Sequence, residues 1–328
     1  MFRWLIGVLS ITCLWISLAH AEEIPAKITA RDSAKPWKDD NPDAQRMLDH
    51  LAWSSTEFEV TWAPVEGKLY QRLVRYPTPF PSGDATNDLV SMEWYMPKMP
   101  QLHEGPLPTI VVIHESGSAM PAGRAIALGI QQRGLNAILL HLPYYGERRG
   151  AKKRDASEFL ITMRQGVADA RRAFDAVAVL PGVDPKKISL QGTSLGGFVT
   201  TSTASLDACY YQSFIMLAGG DLYDMFMNGK QDTAKIRDQL ARAGYEGEKL
   251  RTLLNEVEPT RIAHRLPKDR TWLYSALQDD VVPIRNARKL AEAIGLDTKH
   301  RHEFVGGHYT AALWLPAVID HFTKTAAK

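Results

Sequence analysis

The stretch "ISLQGTSLGGFVTT", residues 188–201, runs from an apolar, β-branched segment into a serine bracketed by glycines, Gly192-Thr193-Ser194-Leu195-Gly196. Glycine accepts positive φ and close backbone approach, so a tight turn is the first reading. The pattern is also G-x-S-x-G, placed after a predicted strand and at the start of a predicted helix. In that context the turn lifts the serine hydroxyl clear of the sheet. The N–H of Leu195, in the first turn of the helix, then points toward any negative charge that develops beside Ser194.

A serine hydroxyl is a weak nucleophile at its own pKa and needs a base. His308, in "VGGHYTAAL", follows the last predicted strand, and Gly306 and Gly307 let the chain bend so that the imidazole turns inward. The histidine in turn needs an acid that fixes its tautomer. "SALQDDVVPI" supplies Asp279 and Asp280 at the end of the preceding strand, and Asp221 ends the strand after the elbow helix. Adjacent side chains at a strand end point in different directions, so one of the Asp279–Asp280 pair serves His308. Serine, then acid, then histidine along the chain is the order of one particular scaffold.

Working outward, apolar strands alternate with helices. "TIVVIHE" reads as a buried strand, residues 123–133 as a helix, "LNAILLHL" as a strand and residues 157–180 as a long helix. "KISLQG", "SFIMLAGG", "TWLYSAL" and "HRHEFVGG" continue the strands, with helices over 195–206, 284–294 and 310–324. Such alternation predicts an α/β fold: a mostly parallel central sheet with helices on both faces. "YQRLVRY" and "LVSMEWYM" read as antiparallel strands that start the sheet. Before them, residues 22–67 read as an N-terminal extension with one short helix over 42–53. Residues 221–266 are too long for one crossover helix; they read as a helical insertion, either a cap over the site or a decorated crossover.

In "GTSLGG", "DDVVP" and "GGHY", with these strand and helix contexts, residues 68–328 resemble the α/β-hydrolase fold family. "VVIHESG" is similar to the oxyanion-hole segment of the dienelactone hydrolase and acetyl esterase-like branch, with His114-Glu115 where the family has His-Gly. The resemblance implies two oxyanion donors, the backbone N–H groups of Leu195 and Ser116. It also implies Asp279 as the acid, from the family's D-x-V-V-P arrangement. The implied activity is hydrolysis of a small-molecule carboxylic ester through an acyl-enzyme on Ser194, which requires no cofactor. A peptidase or thioesterase on the same triad, or a non-catalytic α/β-hydrolase-like binding protein, are the alternatives. In "HLPYYGERR", pairing of Glu115 with Arg148 or Arg149 competes with a solvated basic loop, and the solvated loop is the expectation. His300 and His302 share a strand face without a third ligand, so no metal site is expected.

The chain has 328 residues, 45% apolar and 23% charged, enough for a sizeable core. With 39 Lys and Arg against 37 Asp and Glu, the net charge of +2 gives no global field for nucleic acid or an anionic membrane. Arg3, an apolar stretch over 5–18 and Ala19-His20-Ala21 before Glu22 form an export-signal pattern, so residues 1–21 are expected to be cleaved and the protein exported, periplasmic or secreted. Cys13 leaves with that segment, and Cys209 then has no partner for an internal disulfide.

Overall fold

The computed structural model describes residues 26–98, 105–150 and 158–328. The expected export segment, residues 1–21, lies outside the described residues. A ten-stranded sheet organises the chain: β1 (Ala26–Arg31), β2 (Glu57–Pro64), β3 (Arg72–Pro77), β4 (Leu89–Tyr95), β5 (Leu107–Ile113), β6 (Asn136–Leu140), β7 (Val183–Thr193), β8 (Ser213–Met216), β9 (Thr271–Ala276) and β10 (Arg301–Phe304). Its spatial order is β1-β2-β3-β4-β6-β5-β7-β8-β9-β10. The pairings are antiparallel from β1 through β4 to β6 and parallel from β6 through β5 to β10. The order turns back on itself at β5 and β6, where crevices form at the carboxyl ends of parallel strands.

Ten helices accompany the sheet among the described residues: α1 (Pro42–Leu51), α2 (Ala85–Asp88), α3 (Pro121–Gln132), α4 (Phe159–Ala178), α5 (Leu195–Asp207), α6 (Leu222–Asn228), α7 (Asp232–Arg242), α8 (Gly247–Asn255), α9 (Ile284–Ile294) and α10 (Leu315–Ala326). The central strands are apolar on both sides because both sides are covered. In β5, Val111 and Ile113 join the core under α4, α5 and α9, while Ile110 and Val112 join the core under α3 and α10. Ile138 and Leu140 of β6 alternate with Ala137 and Leu139 in the same way. No described helix is long and apolar enough to cross a membrane.

Two expectations need correction. The segment read as an extension with one short helix also contributes β1 and β2 to the main sheet, so the sheet continues well before residue 68. The last helix does not run unbroken from residue 310: a 3-10 turn over Thr310–Trp314 precedes α10, with Pro316 in the first turn of the helix proper.

The N-terminal segment is fastened along α4 by buried charge. Arg172 meets Asp32 at 2.6 Å, and its guanidinium lies 4.7 Å over the Phe58 ring. Asp175 accepts both the N–H and the hydroxyl of Ser33, at 3.0 and 2.5 Å.

Candidate active site

β7 enters the sheet's centre and stops at Ser194, which takes φ 53°, ψ −116° as the residue capping α5. Few non-glycine residues adopt that backbone, and it is held here by close packing. The Ser194 N–H donates to Met216 O at 2.9 Å. A side chain on Gly192 would overlap the Gly196 carbonyl, and one on Gly196 would overlap the Ile113 carbonyl. The glycines of the opening motif are therefore required by the approach of α5 to β5 and β7.

His308 follows β10 on a loop bent at Gly306, whose φ is 129°. The Gly307 N–H donates to Thr310 Oγ1 at 2.8 Å, which fixes the loop. His308 Nε2 lies 3.0 Å from Ser194 Oγ, and its Nδ1 lies 2.7 Å from Asp279 Oδ2. The other oxygen of Asp279 accepts the N–H groups of Val281 and Val282 at 2.9 and 2.8 Å. Both carboxylate oxygens are thus engaged, one on the imidazole and one on its own turn. All three side chains are buried.

The competing acids are engaged elsewhere. Asp280 accepts from Gln231 Nε2 at 3.1 Å, at the start of α7. Asp221 caps α6 and pairs with Lys289.

Leu195 opens α5, and its N–H is one of the first four of a helix, which have no intrahelical carbonyl. Ser116 lies just past the end of β5 and shares a cavity with Ser194 and Leu195. The Tyr145 hydroxyl donates to Ser116 O at 3.1 Å, in the peptide unit that follows the Ser116 N–H. Two histidines prop the loops that meet there. His114 Nδ1 lies 2.5 Å from Glu115 O, and its Nε2 accepts the Leu142 N–H at 3.1 Å. Burial pushes His114 down to about 3, so the ring stays neutral and keeps this donor–acceptor pattern. His141 accepts the Glu147 N–H and contacts Glu93 at 3.1 Å. Burial alone would raise Glu93, but bonds from His141, Arg124 and Tyr95 outweigh it and bring the carboxyl to about 2.

The sequence offered no sign of Tyr145, since "PYYGE" does not say which tyrosine turns inward. It also misread the neighbouring charges. Glu115 accepts the N–H groups of Ala122 and Gly123, at 2.9 and 3.0 Å, where α3 begins. Arg148 is fully buried, 2.8 Å from Asp169, and bonds the carbonyls of Asn87 and His141. It belongs to the core and not to a solvated loop; residues 151–157 of that loop lie outside the described residues.

α6 and α7 of the insertion line a cavity together with Ser194 and Phe198. α7 is tied to the acid loop, with Thr233 Oγ1 donating to Val281 O at 2.9 Å and the Lys230 N–H to Asp280 O at 2.6 Å. The Tyr309 hydroxyl, next to His308, donates to Asp232 at 2.9 Å. α6 and α7, the part of residues 221–266 that lines this cavity, are the candidate cap.

His302 stacks on Tyr274 with ring centroids 4.9 Å apart, and His300 pairs with Asp297. Among the described residues no group of three or more His, Cys, Asp or Glu is placed to hold a metal.

The sheet order, the reversal at β5 and β6 and the elbow at Ser194 define the α/β-hydrolase fold, and the chain has that fold. Among solved structures it is similar to an acetyl xylan esterase from Paenibacillus sp. R4, at 17% identity and TM-score 0.61 over 88% of this chain and 97% of that one. Acetyl xylan esterase 1 from Thermoanaerobacterium sp. JW/SL YS485 matches at 14% identity and TM-score 0.57, over 87% and 96% of the two chains. A 2,6-dihydroxy-pseudo-oxynicotine hydrolase matches at 15% identity and TM-score 0.52, over 73% and 64%. No family model matches the sequence, and no curated protein matches it significantly.

Proposed function

We propose that the chain is a serine hydrolase that cleaves a carboxylic ester through an acyl-enzyme on Ser194. The observation that carries this reading is the continuous relay from Ser194 Oγ through His308 to Asp279, with contacts of 3.0 and 2.7 Å. His308 Nε2 takes the serine proton as Oγ attacks the ester carbonyl. The oxyanion that forms is held by the Leu195 and Ser116 N–H groups, each contributing about 3 kcal/mol at the transition state. Collapse breaks the bond to the alcohol oxygen, which leaves with the proton from Nε2. Water then attacks the acyl-enzyme, gives a proton to Nε2, and the carboxylic acid departs as that proton returns to Ser194. Asp279 holds the imidazole in the tautomer that presents Nε2 as acceptor and steadies the imidazolium.

The esterase names of structurally similar proteins support the ester as substrate. A fluorophosphonate probe tests the nucleophile. The mature protein should be labelled at Ser194, and labelling that persists in Ser194→Ala overturns the assignment. The signal-like pattern before Glu22 supports export, with Glu22 as the mature N-terminus. N-terminal sequencing of protein from its native host checks this, and an intact Met1 refutes it.

A further inference from the structure

The cavity beside Ser194 has a chemistry of its own. Phe159 and Met163 of α4, Phe198 of α5, Met225 and Phe226 of α6 and Ile236 of α7 surround it. The Phe159 and Phe226 rings meet edge to face at 6.3 Å, so α4 and α6 join in the cavity wall through aromatic surface. The space is about 70 Å³, where one water needs about 15 Å³. It therefore takes about four or five carbon-sized groups, whereas acetyl places a single methyl beyond the reacting carbonyl.

The position of the cavity says which half of an ester enters it. The departing alcohol must sit within reach of His308 Nε2, which returns the proton to it. The cavity is lined by Ser194 and by both proposed oxyanion donors, Leu195 and Ser116, but by no residue of the 306–310 loop that carries His308. With the carbonyl oxygen toward those donors and the alcohol toward His308, the remaining substituent of the carbonyl carbon is directed into the cavity.

The lip bears on charge. Asp232 lines the cavity beside Thr233, and its hydrogen bond to Lys235 favours the ionised carboxylate. An acyl chain ending in a carboxylate would meet that charge with no cation among the described residues that line the cavity.

We infer that the acyl group taken by this site is a neutral aliphatic chain of about five or six carbons, the carbonyl carbon included, in preference to acetyl; this rests on the acyl-enzyme reading above. Burial of each added methylene contributes about fourfold to kcat/KM. Butyrate should then exceed acetate by about 15-fold, and decanoate, too long for the cavity, should fall back.

The experiment uses the mature protein and p-nitrophenyl acetate, butyrate, hexanoate and decanoate, with fluorophosphonate labelling run in parallel. The expected result is a rise from acetate through butyrate to a maximum at hexanoate. Ile236→Trp, which fills the cavity from α7, should bring the butyrate-to-acetate ratio near one. Met225→Ala, which lengthens the cavity, should move the maximum to longer chains and serves if the tryptophan variant does not fold. Labelling at Ser194 with acetate equal to or better than butyrate overturns the chain-length inference alone. Absence of both labelling and ester turnover overturns the acyl-enzyme reading with it.

Discussion

Two satellite regions are joined to the sheet by seams of opposite character. The N-terminal segment meets α4 through buried charge: Asp32 against Arg172, and Ser33 against Asp175. The candidate cap meets the catalytic loops through apolar side chains and hydrogen bonds, among them Thr233 to Val281, Lys230 to Asp280 and Tyr309 to Asp232, and its ion pairs to α9, Asp221 with Lys289 and Asp224 with Arg285, lie at the surface rather than buried. Buried ion pairs are costly to break singly and fix one arrangement, whereas apolar contact tolerates repacking. The difference teaches where change is cheap. The segment that completes the sheet is bonded in one register, and the segment that shapes the cavity is held by contacts that admit other side chains.

The widest separation lies within the acid loop, where neighbouring residues serve different sides of the cap seam. Asp279→Asn should lower kcat by about 10⁴ because His308 loses its orienting acceptor, while Asp280→Asn, which faces Gln231 of the cap, should cost less than tenfold. Steady-state kinetics on both variants decides this; the reverse ranking would move the acid to Asp280. At the charged seam, Asp32→Asn leaves Arg172 buried without its counter-charge and should lower unfolding free energy by about 3–5 kcal/mol. Denaturant titration measures it, and a midpoint close to the parent's would show that this pair does not secure the segment.

A pH series sharpens the comparison from beneath the oxyanion loop. His114 is held near 3 when folded but titrates near its ordinary 6.5 when unfolded. The unfolded chain thus takes up the proton first, and stability falls as pH drops below 6.5 toward 3. At pH 5 the linked loss is about 2 kcal/mol relative to pH 8, and His114→Asn should flatten the unfolding curve over that window. Glu93 adds a loss at lower pH, from its ordinary 4.5 down through about 2. The smallest effect belongs to the apolar seam: Thr233→Val removes one hydrogen bond to Val281 and should cost about 1 kcal/mol. Thermal unfolding reads it, and a loss as large as that of Asp32→Asn would erase the distinction between the seams.

The parts that the sequence made legible are those whose surroundings are uniform. The apolar runs of β5, β6 and the second half of β7, Ile110–Ile113, Ala137–Leu140 and Ile188–Leu190, are covered on both faces and announce buried strands. The elbow is legible because its glycines are forced by backbone contact. β1, "AKITAR", is an edge strand with Ala30 as its one buried residue, too little for a periodic signal. β2 did carry a signal: Phe58 and Val60 alternate with glutamates in "EFEV". The ion partners of α4 were illegible for another reason. Arg148, Arg171 and Arg172 look like solvated residues until the fold brings Asp169, Asp207 and Asp32 against them. In the site, Ser194, His308 and the two adjacent aspartates were readable from spacing, whereas Tyr145 and the cavity walls come from distant segments that meet only in three dimensions.

The strained turn at Ser194 has a consequence for how such a protein diversifies. The proposed nucleophile and the nearer proposed oxyanion donor are consecutive residues on one stiff turn, so their relative placement is inherited from covalent geometry and from contacts within β5, β7 and α5. Substitutions in α6 and α7 can enlarge, shrink or reshape what is admitted without disturbing that placement. Part of the cavity wall, Met225, Phe226 and Ile236, is thus free to vary apart from the elbow, while Phe198 on α5 and Phe159 and Met163 on α4 hold the rest of the wall in the body.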